Sequence, residues 1–156
     1  MARLPLAVAL LMATTAFATE ETRDQAKSDK ELIQGTWEVV SSREGGREIP
    51  ADKRAGLRIL ITADLLTFQP KDAKGLKDTL GIHFTLDSTK NPKEMDTTHE
   101  LDPGQPITQL GIYSLEGDTL KLCLGGAGQP RPTRLESQAG DSSVSFVLKR
   151  AKNEGH

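Results

Sequence analysis

From Gly35 onward, apolar residues recur at every second position in short runs, and each run ends in a cluster of Gly, Pro, Asn or Asp. Alternation of period two marks a half-buried β-strand, and no stripe of period 3.6 runs long enough for a major helix. Trp37 and Val39 share one face before a turn at Glu44-Gly45-Gly46. Leu57, Ile59 and Ile61 alternate with Arg58, Leu60 and Thr62, and "TAD" then turns the chain into "LLTFQ". Past the polar loop "PKDAKGLKD", Leu80, Ile82, Phe84 and Leu86 alternate with Gly81, His83, Thr85 and Asp87. The loop "STKNPKE", with Asn91-Pro92 as its turn signal, leads to a shorter run from Met95 to Leu101 that "DPGQP" closes. "LGIYSLEGDTLKLCL" reads as two strands joined in a tight hairpin at Glu116-Gly117-Asp118. "GGAGQPRP" is a Gly/Pro-rich connection, "TRLES" a short strand, "QAGD" a turn and "SVSFVLKR" the last strand. The pattern predicts an all-β chain of about eight or nine short strands. Short connections force antiparallel neighbours, so a meander closing into a small barrel is the economical architecture, with an open sandwich as the alternative.

The first 18 residues break this pattern. "MARLPLAVALLMATTAFA" has an early Arg3, an apolar run and small residues flanking Phe17, the signature of a secretory signal with an A-x-A cleavage site. The expectation is a signal at 1–18, a flexible linker at 19–29, a barrel domain at 30–150 and a polar tail at 151–156, exported to the periplasm or the cell exterior. Asp29 is expected to cap a helical turn through Leu32 and Ile33. The apolar run is too short for a dependable membrane span, and nothing after residue 19 resembles one. The formal net charge is −2, and losing Arg3 makes the chain one unit more negative. Such a mixed, weakly acidic surface lacks the basic stripe of a nucleic-acid binder. Cys123 is the single cysteine, which leaves no disulfide framework and makes a hydrophobic core the source of stability. Its parity is opposite to Leu120, Leu122 and Leu124, so it belongs on the outer face under cover of a loop or of the N-terminal turn.

Val144, Phe146, Leu148 and Arg150 share one parity on the last strand. If that parity faces inward, the Arg150 guanidinium points into the barrel end and needs a partner. Closure makes the first and last strands neighbours, so Trp37 and Arg150 are expected to meet as a structural barrel-end pair, the cation over the indole. Gly35-Thr36-Trp37 on the first strand with Arg150 on the last resembles the lipocalin and wider calycin pattern. More closely, "LIQGTWEVVSSREGGREIP", "DSTKNPKEMD", "GIYSLEGDTLKLCL" and "RPTRLES" together resemble a functionally uncharacterised lipocalin-like domain common in planctomycete bacteria. The resemblance runs from about Leu32 to Arg150. It implies an antiparallel barrel with a possible interior ligand cavity, and it carries no catalytic residue with it.

Candidate chemistry is sparse. His83 has outward parity and His156 lies on the tail. His99 sits in "EMDTTHELD" near Asp96, Glu100 and Asp102, but Glu100 would face away from His99 in a strand, so the segment reads as a solvated edge or loop. There is neither a G-x-S-x-G elbow nor a local Cys-His pairing, and Asp87 and Asp96 flank a loop at unknown separation. Gly125, Gly126 and Gly128 beside Arg131 offer backbone donors, but the following element is a strand, so the helix of a nucleotide-binding motif is missing. The expectation is no catalytic residue, no cofactor, no metal site and no enzymatic activity. What remains is a non-catalytic binding module. Leu57, Ile59, Ile61, Ile82, Phe84, Leu86, Ile112, Leu120 and Leu122 would line either a packed core or a pocket for a small apolar or amphipathic ligand. The alternative is an interaction or inhibitor module that contacts an extracytoplasmic protein through loops 88–95 and 125–132, with Lys93 and Arg131 as candidate contacts.

Overall fold

A computed structural model describes residues 29–70 and 80–152. The expected signal at 1–18, nearly all of the linker 19–29, most of the loop after Pro70 and the end of the 151–156 tail lie outside those residues. The strands are β1 (Gly35–Glu44), β2 (Arg47–Glu48), β3 (Arg58–Thr62), β4 (Leu65–Gln69) and β5 (Leu80–Asp87). They continue as β6 (Lys93–Asp102), β7 (Gln105–Gln109), β8 (Gly111–Glu116), β9 (Thr119–Leu124) and β10 (Val144–Arg150). β1, β3, β4, β5, β6, β8, β9 and β10 form a closed antiparallel barrel, because β10 pairs back onto β1 from Trp37↔Arg150 to Glu44↔Val144. β2 extends β1 as a hairpin, and β7 pairs with the far half of β6. A lipocalin-like barrel is a fair description of this arrangement. Among the described residues no helix is long and apolar enough to cross a membrane.

The turns follow from the residues in them. The hairpins at Gly45-Gly46 and Gly117-Asp118 place glycine where φ is positive, at 53°, 77° and 55°. At the β3–β4 turn Ala63 takes φ 55° instead. The Gln34 side chain holds it there: Ala63 N–H donates to Oε1 at 2.7 Å, and Nε2 donates to the Ala63 carbonyl at 3.1 Å. β7 and β8 are almost one strand, interrupted at Leu110. There β6 changes partner, from β7 along Thr97–Asp102 to β8 at Lys93 and Glu94. A Cβ at Gly111 would lie 2.5 Å from Leu124 and 2.7 Å from the Met95 carbonyl, so the junction is tight enough to demand glycine.

The core is the barrel interior. Trp37, Ile59, Ile61, Leu66, Ile82, Phe84, Met95, Tyr113, Leu120, Leu122, Leu124, Phe146 and Leu148 pack there with Ile33 from the N-terminal turn. Leu57 and Leu86 lie partly buried against this cluster. Burial of each large apolar side chain contributes about 1.5–3 kcal/mol. Ile112 corrects the sequence reading: it pairs with Cys123 on the outer face, while Tyr113↔Leu122 and Leu115↔Leu120 fill the inner one. Ser114 and Glu116 share the parity of Ile112, and the hairpin follows that polar pair.

"TRLES" is a second correction. Residues 133–137 lie within one long loop, 125–143, with bends at 133–136 and no strand. Pro130 and Pro132 lack the N–H groups a ladder needs. Ser137 anchors the loop from the side: its hydroxyl donates to the Ser143 carbonyl at 2.9 Å, and it accepts from Gly46 N–H at 2.8 Å. Under this cover Ile112 and Cys123 are fully buried on the outer wall.

Candidate functional site

One end of the barrel is sealed. The helical turn at 29–32 leads across it into β1, and the Trp37 indole N–H donates to the Ile33 carbonyl at 2.8 Å. Arg150 lies over the indole, its guanidinium carbon 4.3 Å from the ring centroid. Its Nη1 and Nη2 donate to the Gln34 and Leu32 carbonyls at 2.8 and 2.6 Å, and its Nε donates to Asp118 at 3.1 Å. The cation–π contact contributes about 0.5–2 kcal/mol, and the carbonyls meet the remaining donors. Gly35 takes φ 114°, and a Cβ there would come within 3.3 Å of the guanidinium. Both facts call for glycine two residues before the tryptophan.

Asp29 does not cap its helical turn. Its Oδ2 accepts the Tyr113 hydroxyl at 2.7 Å and the Lys93 ammonium at 2.7 Å. Lys93, expected as an outward loop contact, therefore points inward and is spent on the floor. Burial pushes the Tyr113 hydroxyl pKa well above its usual 10, and the neighbouring Asp29 carboxylate, to which it donates, raises it further.

Above the floor the inward face of β6 reads Lys93, Met95, Thr97 and His99. Met95 and Thr97 are completely buried, and Thr97 stands opposite Phe84 on β5. Thr97 Oγ1 and His99 Nδ1 are both buried without a hydrogen-bond partner. His99 shares the inward parity of Thr97 and is half-buried, so the solvated reading holds only for part of the ring, with Nδ1 on the shielded side. The parity of Met95, the apolar member of the run, was the sequence signal that could have placed it.

The carboxylates around His99 go the other way. Asp96 and Glu94 face outward, where Arg131 reaches down from the long loop. Its Nη2 lies 3.1 Å from Asp96 Oδ2 and 3.3 Å from Glu94 Oε2, and its Nη1 donates to Asp96 and, at 2.7 Å, to the Gly111 carbonyl. Hydrogen bonding to Asp96 raises the Arg131 pKa further. The second expected loop contact is thus a clip that pins the loop to the wall beside the β7–β8 break. Gln109 Nε2 donates to the Gly125 carbonyl at 2.9 Å and fastens the same seam.

Among the described residues no group of three His, Cys, Asp or Glu could hold a metal ion. Burial pushes the Cys123 thiol pKa up, a trend only partly offset by the Ser143 hydroxyl, so the thiol is protonated and inert. Within the long loop itself lies an open cleft of about 710 Å3 lined by residues such as Gly126, Gln129, Thr133, Arg134 and Ser142. No family model matches the chain, nor does any curated protein or solved structure.

Proposed function

We propose that the chain is an exported, non-catalytic lipocalin-like module, of the kind common in planctomycete bacteria, that takes a small apolar or amphipathic molecule at the barrel end opposite Trp37. The observation that supports this reading is the contrast between the inward apolar side chains at the two ends. Partly buried members of the inward set occur at both ends, Leu86 and Leu115 toward the floor and Leu57, Phe68 and Val144 toward the other, but among the described strand residues of inward parity it is Leu80, in register with Phe68 away from the floor, that reaches 48 % exposure. Apolar groups exposed along a concave end are the usual lining of a ligand site. Native mass spectrometry of the chain, exported and purified gently from its own cell, tests the reading. A mass excess lost on denaturation is expected, and a bare chain mass would overturn it. The same spectrum tests export, which requires a chain beginning at Thr19.

A second reading has its own observation. The 710 Å3 cleft opens along the long loop, on the outside of the barrel, where Arg134 is exposed. An interaction module would use this loop surface in place of Lys93 and Arg131, and loss of a co-purifying protein on replacing Arg134 would favour it.

A further inference from the structure

We propose that Thr97 and His99 form the polar end of a subsite inside the barrel that takes a neutral hydroxyl group carried on an apolar body. The inference rests on the reading of the barrel as a small-molecule binder and names the chemistry of the ligand. β6 brings the two side chains to one face, two residues apart, with Thr97 opposite Phe84 on β5 and His99 opposite Ile107 on β7. Thr97 is 0 % exposed and His99 half-buried, yet neither the Thr97 Oγ1 nor the shielded His99 Nδ1 meets a partner. Polar atoms buried this way are costly, and native folds leave very few of them. At the sealed end the same interior satisfies Asp29, Lys93, Tyr113, Trp37 and Arg150 one by one, so the unmet pair is a local exception.

Geometry and charge then select the ligand group. Same-face neighbours on a strand are about 6.5–7 Å apart, so an oxygen seated between the two side chains would reach both at hydrogen-bonding distance once the side chains that now leave Thr97 0 % exposed move aside. A hydroxyl can accept from one and donate to the other, as a threonine hydroxyl and an imidazole nitrogen require. A carboxylate fits less well: among the described residues the inward cations Lys93 and Arg150 are both engaged at the floor, and an anion beside Thr97 would be buried unpaired.

The test is calorimetric titration of the exported chain with 1-octanol, heptyl methyl ether and octanoate, which share a nine- or ten-atom heavy skeleton and differ in the polar group. The expected result is octanol bound roughly tenfold more tightly than the ether, with the ratio falling to near one in Thr97→Val and His99→Leu while ether affinity is kept. Retained ether binding shows that each variant still folds. Equal affinity of wild type for octanol and ether would overturn the subsite and leave the barrel reading standing. Preference for octanoate would overturn the neutral head group. Binding of none of the three would overturn both the subsite and the reading on which it rests.

Discussion

The two halves of one barrel treat buried polar groups in opposite ways. At the floor, a tryptophan, an arginine, an aspartate, a lysine and a tyrosine are brought together and each side chain makes a hydrogen bond of 3.1 Å or less. Higher up, on the same β6 face that carries Lys93, Thr97 and His99 each bury an atom that meets nothing. The floor is built for stability, since breaking a satisfied buried network leaves uncompensated charge or dipole behind. The upper half gives up stability for an unmet hydrogen-bonding capacity. Proteins keep such local exceptions where function lies.

Mutations can break this contrast from either side. The largest loss is expected for Trp37→Ala, which empties the floor and removes the base beneath Arg150; roughly 3–5 kcal/mol should disappear from the denaturant unfolding free energy. Asp29→Asn leaves Lys93 without its counter-ion and should cost about 2–3 kcal/mol, toward or below the lower limit for buried pairs because the Lys93 side chain is 30 % exposed. Alkaline pH attacks the same network through Tyr113. Its pKa is raised on folding, so its contribution is complete below pH 10 and is lost as pH climbs through the folded value, since the unfolded chain releases the proton first. Stability should therefore fall by about 1.4 kcal/mol for each pH unit above 10 from this group, and Tyr113→Phe should remove that part of the slope. The smallest effect has the opposite sign. Thr97→Val deletes an unpartnered hydroxyl at constant shape and should stabilise the unliganded chain by about 1 kcal/mol; a destabilised variant would mean that the hydroxyl is satisfied after all.

Much of the barrel was legible because strand parity and turn chemistry are local. Gly45-Gly46 and Gly117 mark their hairpins in the sequence alone, and closure of a meander makes Trp37 and Arg150 neighbours by topology. What escaped depends on partners remote in the chain. Asp29 looks like a helix cap until Lys93 and Tyr113, 64 and 84 residues away, claim its carboxylate. Arg131 and Lys93 look like free loop cations for the same reason. The misplacement of Ile112 had a local remedy, since Ser114 and Glu116 fix the outward parity of that strand. "TRLES" has the composition of a strand, but the wall it lies over offers no free edge, because β9 already pairs with β10 and β8.

Ring closure also orders events in time. Each barrel pairing except one joins strands that follow one another closely along the chain, whereas β1 and β10 must find each other across most of its length. Non-local pairing carries the largest loop-closure entropy, so it forms last. Until it does, Arg150 is absent from the indole of the only tryptophan in the sequence. Trp37 is therefore a built-in clock hand for the final step of folding. Its fluorescence should change after the far-ultraviolet circular dichroism of the sheet has begun to develop, and simultaneous traces would show that the ring closes in one concerted event.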